Sequence, residues 1–252
     1  MGSHGAGDTV ELEVVRCAGP GQAVTRQRFR VPRQEGATVL TALQHLQRHP
    51  VDASGNATTP VAFSSGCGRG ACGGCTVNVN GFPRLACETP LQGLEEPVVL
   101  APLESFPLVR DLRVDRSRME EDWRRMMVWV DVDGEAGPAP CEPPEAARGR
   151  EDLGRCVACG ACVEACPSAG THAPYVGAAA IHASVTLGRH PAGAAQRGPR
   201  VEALAGEGGV SGCGGAHNCE RVCPRGLPLV TSLGAAHREV TRHLLRRFLP
   251  AR

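Results

Sequence analysis

Cys67, Cys72, Cys75 and Cys87 follow the spacing C-x4-C-x2-C-x11-C. Thiolates in that arrangement wrap a [2Fe–2S] rhomb of the plant type. The same stretch carries Gly66, Gly68, Gly70, Gly73 and Gly74, which let the backbone fold tightly and turn its N–H groups towards sulfur. Such donors stabilise the added negative charge of a reduced cluster and raise its potential. A zinc ion would instead favour two separated cysteine pairs around one centre. Arg69 could tune the same site electrostatically, although most such arginines are simply solvated.

Seven more cysteines form an internal repeat. Cys156-x2-Cys159-x2-Cys162-x3-Cys166-Pro167 is matched by Cys213-x2-Ala216-x2-Cys219-x3-Cys223-Pro224. In runs of this kind three cysteines bind one cubane and the fourth ligates the other cluster. Cys156, Cys159, Cys162 and Cys223 therefore make a [4Fe–4S] ligand set. Cys166, Cys213 and Cys219 are left for a second cluster, whose fourth position falls on Ala216. Three thiolates can retain a [3Fe–4S] cluster, and that is the expectation here. Pro167 and Pro224 end the two loops and fix the chain direction. Of the thirteen cysteines, Cys17 and Cys141 match no ligand pattern. Cys17 reads as a small buried apolar residue and Cys141 as an incidental linker thiol.

Composition agrees with a metal-held chain. At 252 residues there is room for two modest domains, and 32 Gly with 20 Pro imply much loop. A net charge of +1 and 3% aromatic residues argue against a nucleic-acid partner. The N-terminus shows no basic segment followed by an apolar one, so the cysteines read as reduced metal ligands rather than disulfides. The longest weakly polar stretch, Val176 to Gly188, is too short to span a bilayer and carries His182.

The elements that must position these thiols are legible from periodicity. Val10 to Arg16 and Val24 to Val31 alternate as a strand pair. Thr38 can cap a helix bearing Val39, Leu40, Leu43 and Leu46 on one face, with Pro50 beyond its end. Thr76 to Asn80 and Pro97 to Ala101 read as further strands. This is an α+β sheet with one helix across it. A second helix is expected from Ser117, with Ser117 and Glu120 as a capping box and Met119, Trp123, Met126 and Val130 as a core stripe. The Pro- and Gly-rich segment Gly134 to Pro144 reads as a linker. The expected domains are 8–130 and 131–252.

Taken together, GCGRGACGGCTVNVNGFPRLAC at 66–87, FPLVRDLRVDRS at 106–117, RCVACGACVEACP at 155–167 and NCERVCPRGLPL at 218–229 resemble one family. It is the iron–sulfur subunit of succinate dehydrogenase and fumarate reductase. The resemblance covers nearly the whole chain. It implies a plant-type ferredoxin β-grasp domain followed by an α-helical two-cluster bacterial-ferredoxin domain. It also implies a peripheral place on the cytoplasmic face of the cell membrane, between a flavoprotein subunit carrying FAD and a membrane anchor. Electrons would then pass between succinate–fumarate and a quinone through the [2Fe–2S], [4Fe–4S] and [3Fe–4S] clusters.

There are departures from the ubiquinone-reducing relatives. Where many of those carry a Trp and a His beside the third cluster, this chain has PSAGTHAPYVG and Gly214. The usual quinone-pocket residues do not carry over, and the pattern looks more like the branch using menaquinone and a haem-bearing anchor. His172 and His217 read equally as proton carriers or as surface residues. Leu233, Val240, Leu244 and Phe248 share a face of a C-terminal helix with Arg238, Arg242, Arg246 and Arg247 nearby. That helix either docks on a partner or an anionic membrane surface, or packs on its own domain. Two other functions compete: delivery of electrons to a different dehydrogenase, such as a thiol-dependent fumarate reductase or a glycolate-oxidising complex, and a zinc-stabilised interaction module.

Overall fold

Val10, Leu12 and Val14 alternate with polar residues, and all three are fully buried. That period of two places them on the inner face of β1 (Thr9–Arg16), which pairs antiparallel with β2 (Thr25–Pro32) and sets Leu12 opposite Phe29. The computed structural model describes residues 9–130 and 154–248, with Pro144 and Glu151. Strands β3 (Thr76–Val79), β4 (Phe82–Leu85) and β5 (Val98–Ala101) complete a five-stranded sheet of order β2-β1-β5-β3-β4. Only the β1–β5 pairing is parallel, with Leu12 beside Val98. A small second sheet joins β6 (Leu108–Arg110) and β7 (Arg113–Val114).

Helix α1 (Val39–Arg48) begins at Thr38, as expected. The Thr38 hydroxyl accepts from the Thr41 N–H at 3.3 Å, and the Thr41 hydroxyl accepts from the Thr38 N–H at 2.8 Å. The helix buries Val39, Leu40, Leu43 and Leu46, each worth about 1.5–3 kcal/mol of transfer free energy. It lies against β2 and the short turn at Ala86–Glu88. A mixed sheet holding one helix is the expected β-grasp domain. Strand β3 and the turn at Ala86–Glu88 flank the cysteine loop, so the sheet anchors Cys75 on one side and Cys87 on the other.

The second unit is helical. The division between units falls after Asp115, ahead of the boundary expected at 130, because α2 (Ser117–Arg125) belongs with the helical unit. Arg118 Nη2 donates to the carbonyls of Ala173 at 2.7 Å and Tyr175 at 3.1 Å. Arg125 Nη2 donates to the carbonyl of Glu207 at 2.9 Å. The Ser117–Glu120 capping box does not form: Arg116 is the cap residue and no side chain caps the helix, since Ser117 is already helical. The expected stripe is also shortened. Met119 and Met126 are buried, but the helix stops at Arg125 and Met127 adopts φ +52°, so Val130 lies beyond it.

Short helices α3 (Ala161–Glu164) and α6 (Asn218–Arg221) lie within the two cysteine runs and carry Cys162 and Cys219. Between them come α4 (Ala178–Gly188) and α5 (Arg197–Ala205), and α7 (Leu229–Phe248) ends the unit. Every residue from Ala178 to Thr186 is buried, which makes α4 the central helix of the unit. It packs along α7, where His182 Nδ1 and Ser232 Oγ are 2.7 Å apart. The C-terminal stripe divides: Leu233 and Val240 are buried, whereas Leu244 is 39% exposed. Among the described residues no helix is long and apolar enough to cross a membrane. Cys141 and nearly all of the expected linker lie outside the described residues.

Candidate metal centres

The twelve described cysteines are free thiols. In the first loop six backbone N–H groups point at ligand sulfurs. Arg69 and Ala71 donate to Cys67 Sγ at 3.5 and 3.1 Å. Cys67 and Gly74 donate to Cys72 Sγ, each at 3.4 Å. Gly70 donates to Cys87 Sγ at 3.2 Å, and Cys87 N–H to Cys75 Sγ at 3.5 Å. Gly70 can do this because its φ is +72°, a conformation that side chains resist. Gly66 is required for a different reason, since a Cβ there would lie 2.9 Å from Cys72 Sγ.

These donors have electrostatic consequences. The Arg69 N–H holds the Cys67 thiol well below its ordinary range, down to about 7. Cys75, only 4% exposed, is pushed up to about 11 by burial and then by the neighbouring Cys87 and Cys72. Neighbouring thiols that oppose each other's ionisation are suited to a shared cation, which removes that opposition. A lining of N–H donors with space that a Cβ would fill suits an anionic iron–sulfur cluster, so the residues present fit the group.

The second and third thiol groups come from the repeat, and the backbone preserves its symmetry. Gly160 at φ +82° precedes α3, and His217 at φ +60° precedes α6. Ala158 at φ +48° corresponds to Gly215 at φ +72°. That register sets Ala216 opposite Cys159, with only the side chain changed. Asn218 Nδ2 ties the halves together by donating to the Ala165 carbonyl at 3.0 Å.

One cavity is lined by Cys156, Cys159, Cys162 and Cys223, closed by Met119 and Leu229. It therefore gathers three thiols of the first run with the last thiol of the second. Burial raises the pKa of Cys156, Cys159 and Cys162, and the other thiols of the group raise them further. The Leu227 N–H donates to Cys223 Sγ at 3.5 Å. Cys219 is raised first by burial and then by Cys166 and Cys213, its companions in the third group. Among the described residues no three His, Cys, Asp or Glu side chains converge on a position for a single ion.

Two neighbours were not legible from spacing. Arg116 Nη1 donates to the Cys159 carbonyl at 3.0 Å, and its charge favours the Cys159 thiolate. Tyr175 is 3% exposed and its ring packs on Gly212, directly before Cys213. Its being the single tyrosine of the chain is the one signal that could have drawn attention to it. His172 and His217 are exposed, and so is Ala216.

Residues 11–121 match the family model of a 2Fe-2S iron-sulfur cluster binding domain, and residues 151–227 that of a 4Fe-4S dicluster domain. The chain is 37% identical over 224 residues to the succinate dehydrogenase iron-sulfur subunit of Bacillus subtilis, covering 88% of each chain. It is 30% identical over 228 residues to the fumarate reductase iron-sulfur subunit of Wolinella succinogenes, covering 88% of this chain and 93% of that one. A chain in the solved Mycobacterium smegmatis Sdh1 complex in the apo form shares the fold. The TM-score is 0.79 at 24% identity, over 98% of this chain and 100% of that one.

Proposed function

The chain belongs to the family of succinate dehydrogenase and fumarate reductase iron–sulfur subunits, and from that premise we propose that it relays electrons within a succinate:quinone oxidoreductase. The observation that carries this reading is the cavity in which Cys223 joins Cys156, Cys159 and Cys162. A ligand exchanged between the two halves of a repeat is what a pair of adjacent clusters needs.

Cys67, Cys72, Cys75 and Cys87 hold a [2Fe–2S] cluster in this reading. Cys156, Cys159, Cys162 and Cys223 hold a [4Fe–4S] cluster, and Cys166, Cys213 and Cys219 a [3Fe–4S] cluster. When bound, these groups supply one-electron redox steps. The protein's own contribution is to place sulfur, aim N–H dipoles at it and exclude water. Six N–H donors at the first site favour its reduced state. At the second, burial of Cys159 and Cys162 keeps water away, while Arg116 offsets negative charge.

The carbon chemistry falls to a flavoprotein partner carrying FAD, and quinone reduction to a site shared with a membrane anchor. The anchor is haem-bearing and the quinone a menaquinone in this reading, which rests on PSAGTHAPYVG and Gly214 standing where ubiquinone-pocket residues would be expected. The subunit lies at the cytoplasmic face of the membrane through that anchor. Its [2Fe–2S] domain ends by Asp115, and its two-cluster domain begins at Arg116 and includes α2. Similarity to the Wolinella succinogenes protein keeps a quinol:fumarate reductase as a second reading.

The native complex, purified with its partners, should reduce a menaquinone analogue when given succinate. The isolated, flavin-free chain should show no succinate:dye activity. Activity in the isolated chain, or an iron-free chain that retains its fold around zinc, would overturn the reading.

A further inference from the structure

Helices α5 and α7 pack side by side and leave a cleft of about 350 Å³ between them. Arg197 and Gly198, at the start of α5, form one wall. Glu239, Arg242, His243 and Arg246 of α7 form the other. Spacings of three and four put those four residues on a single helix face. None of the cluster cysteines lines this cleft.

The cleft holds more positive charge than its own acids neutralise. Arg197 Nη2 donates to Glu239 Oε1 at 3.1 Å, which engages the single carboxylate of the lining. Among the described residues neither Arg242 nor Arg246 makes an ion pair. They stand four apart on the helix, where like charges repel. His243 Nε2 is shielded from water yet has no hydrogen-bond partner, since Glu202 Oε1 is 3.9 Å away. A basic face that is merely solvated needs no second wall. Here α5 supplies one, and it is open at Gly198, where a Cβ would meet nothing within 4 Å.

We propose that this cleft binds a phosphate-bearing anion, held by the guanidiniums of Arg242 and Arg246, with the Nε2–H tautomer of His243 as a further donor. Guanidinium forks match phosphate oxygens in geometry and in charge. A tetrahedral phosphate accepts from several directions at once, which suits donors arriving from one helix face into a walled space. A planar carboxylate offers only two oxygens in one plane. A phospholipid headgroup and a soluble phosphate compound present the same chemistry, and the test separates them. The site is independent of the iron–sulfur assignments.

The test titrates the detergent-solubilised native complex by calorimetry at low ionic strength, with inorganic phosphate and with dihexanoyl phosphatidylglycerol below its micellar concentration. Saturable binding is expected. Tighter binding of free phosphate identifies a soluble ligand, and tighter binding of the lipid identifies a membrane headgroup. Arg242→Gln and Arg246→Gln each remove a charge-assisted donor and should weaken binding about tenfold. Gly198→Glu should abolish it by setting a carboxylate in the cleft with every arginine still present. That variant decides the matter if either arginine variant fails to assemble. No binding of either probe, binding that all three variants leave unchanged, or acetate binding as tightly as phosphate would overturn the proposal.

Discussion

The carboxylate of Asp111 accepts from Arg16 Nε at 3.0 Å, and both residues are buried. The pair joins the end of β1 to the turn between β6 and β7. The same carboxylate accepts from the Cys17 N–H at 3.1 Å and the Ala62 N–H at 2.9 Å. Arg16 reaches on to the Thr59 carbonyl at 3.0 Å and Gln27 Oε1 at 2.9 Å. Four chain segments thus meet at one buried ion pair, and the segment through Ala62 leads directly into the loop of Cys67. Charges taken out of water are tolerable only when satisfied this completely, and removing one partner leaves the other uncompensated.

Asp111→Ala should therefore destabilise the first unit by about 3–5 kcal/mol. Asp111 sits at φ +47°, which Asn tolerates better than Ala. Asp111→Asn separates the loss of charge from backbone strain and should cost less. Thermal loss of the [2Fe–2S] visible absorbance measures both. An alanine variant as heat-resistant as wild type would show that the pair is dispensable.

Gly66→Ala should lower [2Fe–2S] content while leaving the other centres intact. Its new Cβ would come within 2.9 Å of Cys72 Sγ, closer than real Cβ atoms approach a sulfur. Gly188→Ala, where nothing lies within 4 Å, is the matched control. Iron content and the reduced EPR spectrum report the outcome, and equal [2Fe–2S] signals in the two variants would contradict it.

Cys75→Ser should damage the same centre more severely. Cys75 is the buried thiol of the loop, and a serine oxygen is a harder and poorer ligand for this iron. The reduced [2Fe–2S] signal should vanish or change shape, with electron flow to quinone interrupted. An unchanged signal would remove Cys75 from the ligand set.

Ala216→Cys should add the missing thiolate, because the positive-φ residues on either side keep the register of the first loop. The [3Fe–4S] signal of the oxidised protein should give way to a [4Fe–4S] centre of lower potential. Quinone reduction should slow, while flavin reduction by succinate continues. Iron analysis showing two cubanes already present in the wild type would mean that another ligand completes the site.

The spacing of the cysteines sorted them into groups, and it did so for a local reason. A ligand loop of a few intervening residues encodes its own geometry, so C-x4-C-x2-C and C-x2-C-x2-C are readable from type and spacing alone. The β-grasp half was legible in the same way, since the period of two in Val10, Leu12 and Val14 and the Thr38 cap are near-neighbour signals. The helical half was less so. The Ser117 capping box failed and the Met119–Val130 stripe broke at Met127, because long-range contacts of Arg118 and Arg125 decided where α2 begins, ends and belongs. The Arg16–Asp111 pair, the Arg116–Cys159 contact and the seat of Tyr175 beside Cys213 join residues far apart in the chain. Local periodicity carries no record of such pairs. Only the closed tertiary structure, where burial makes each polar group find a partner, brings them together.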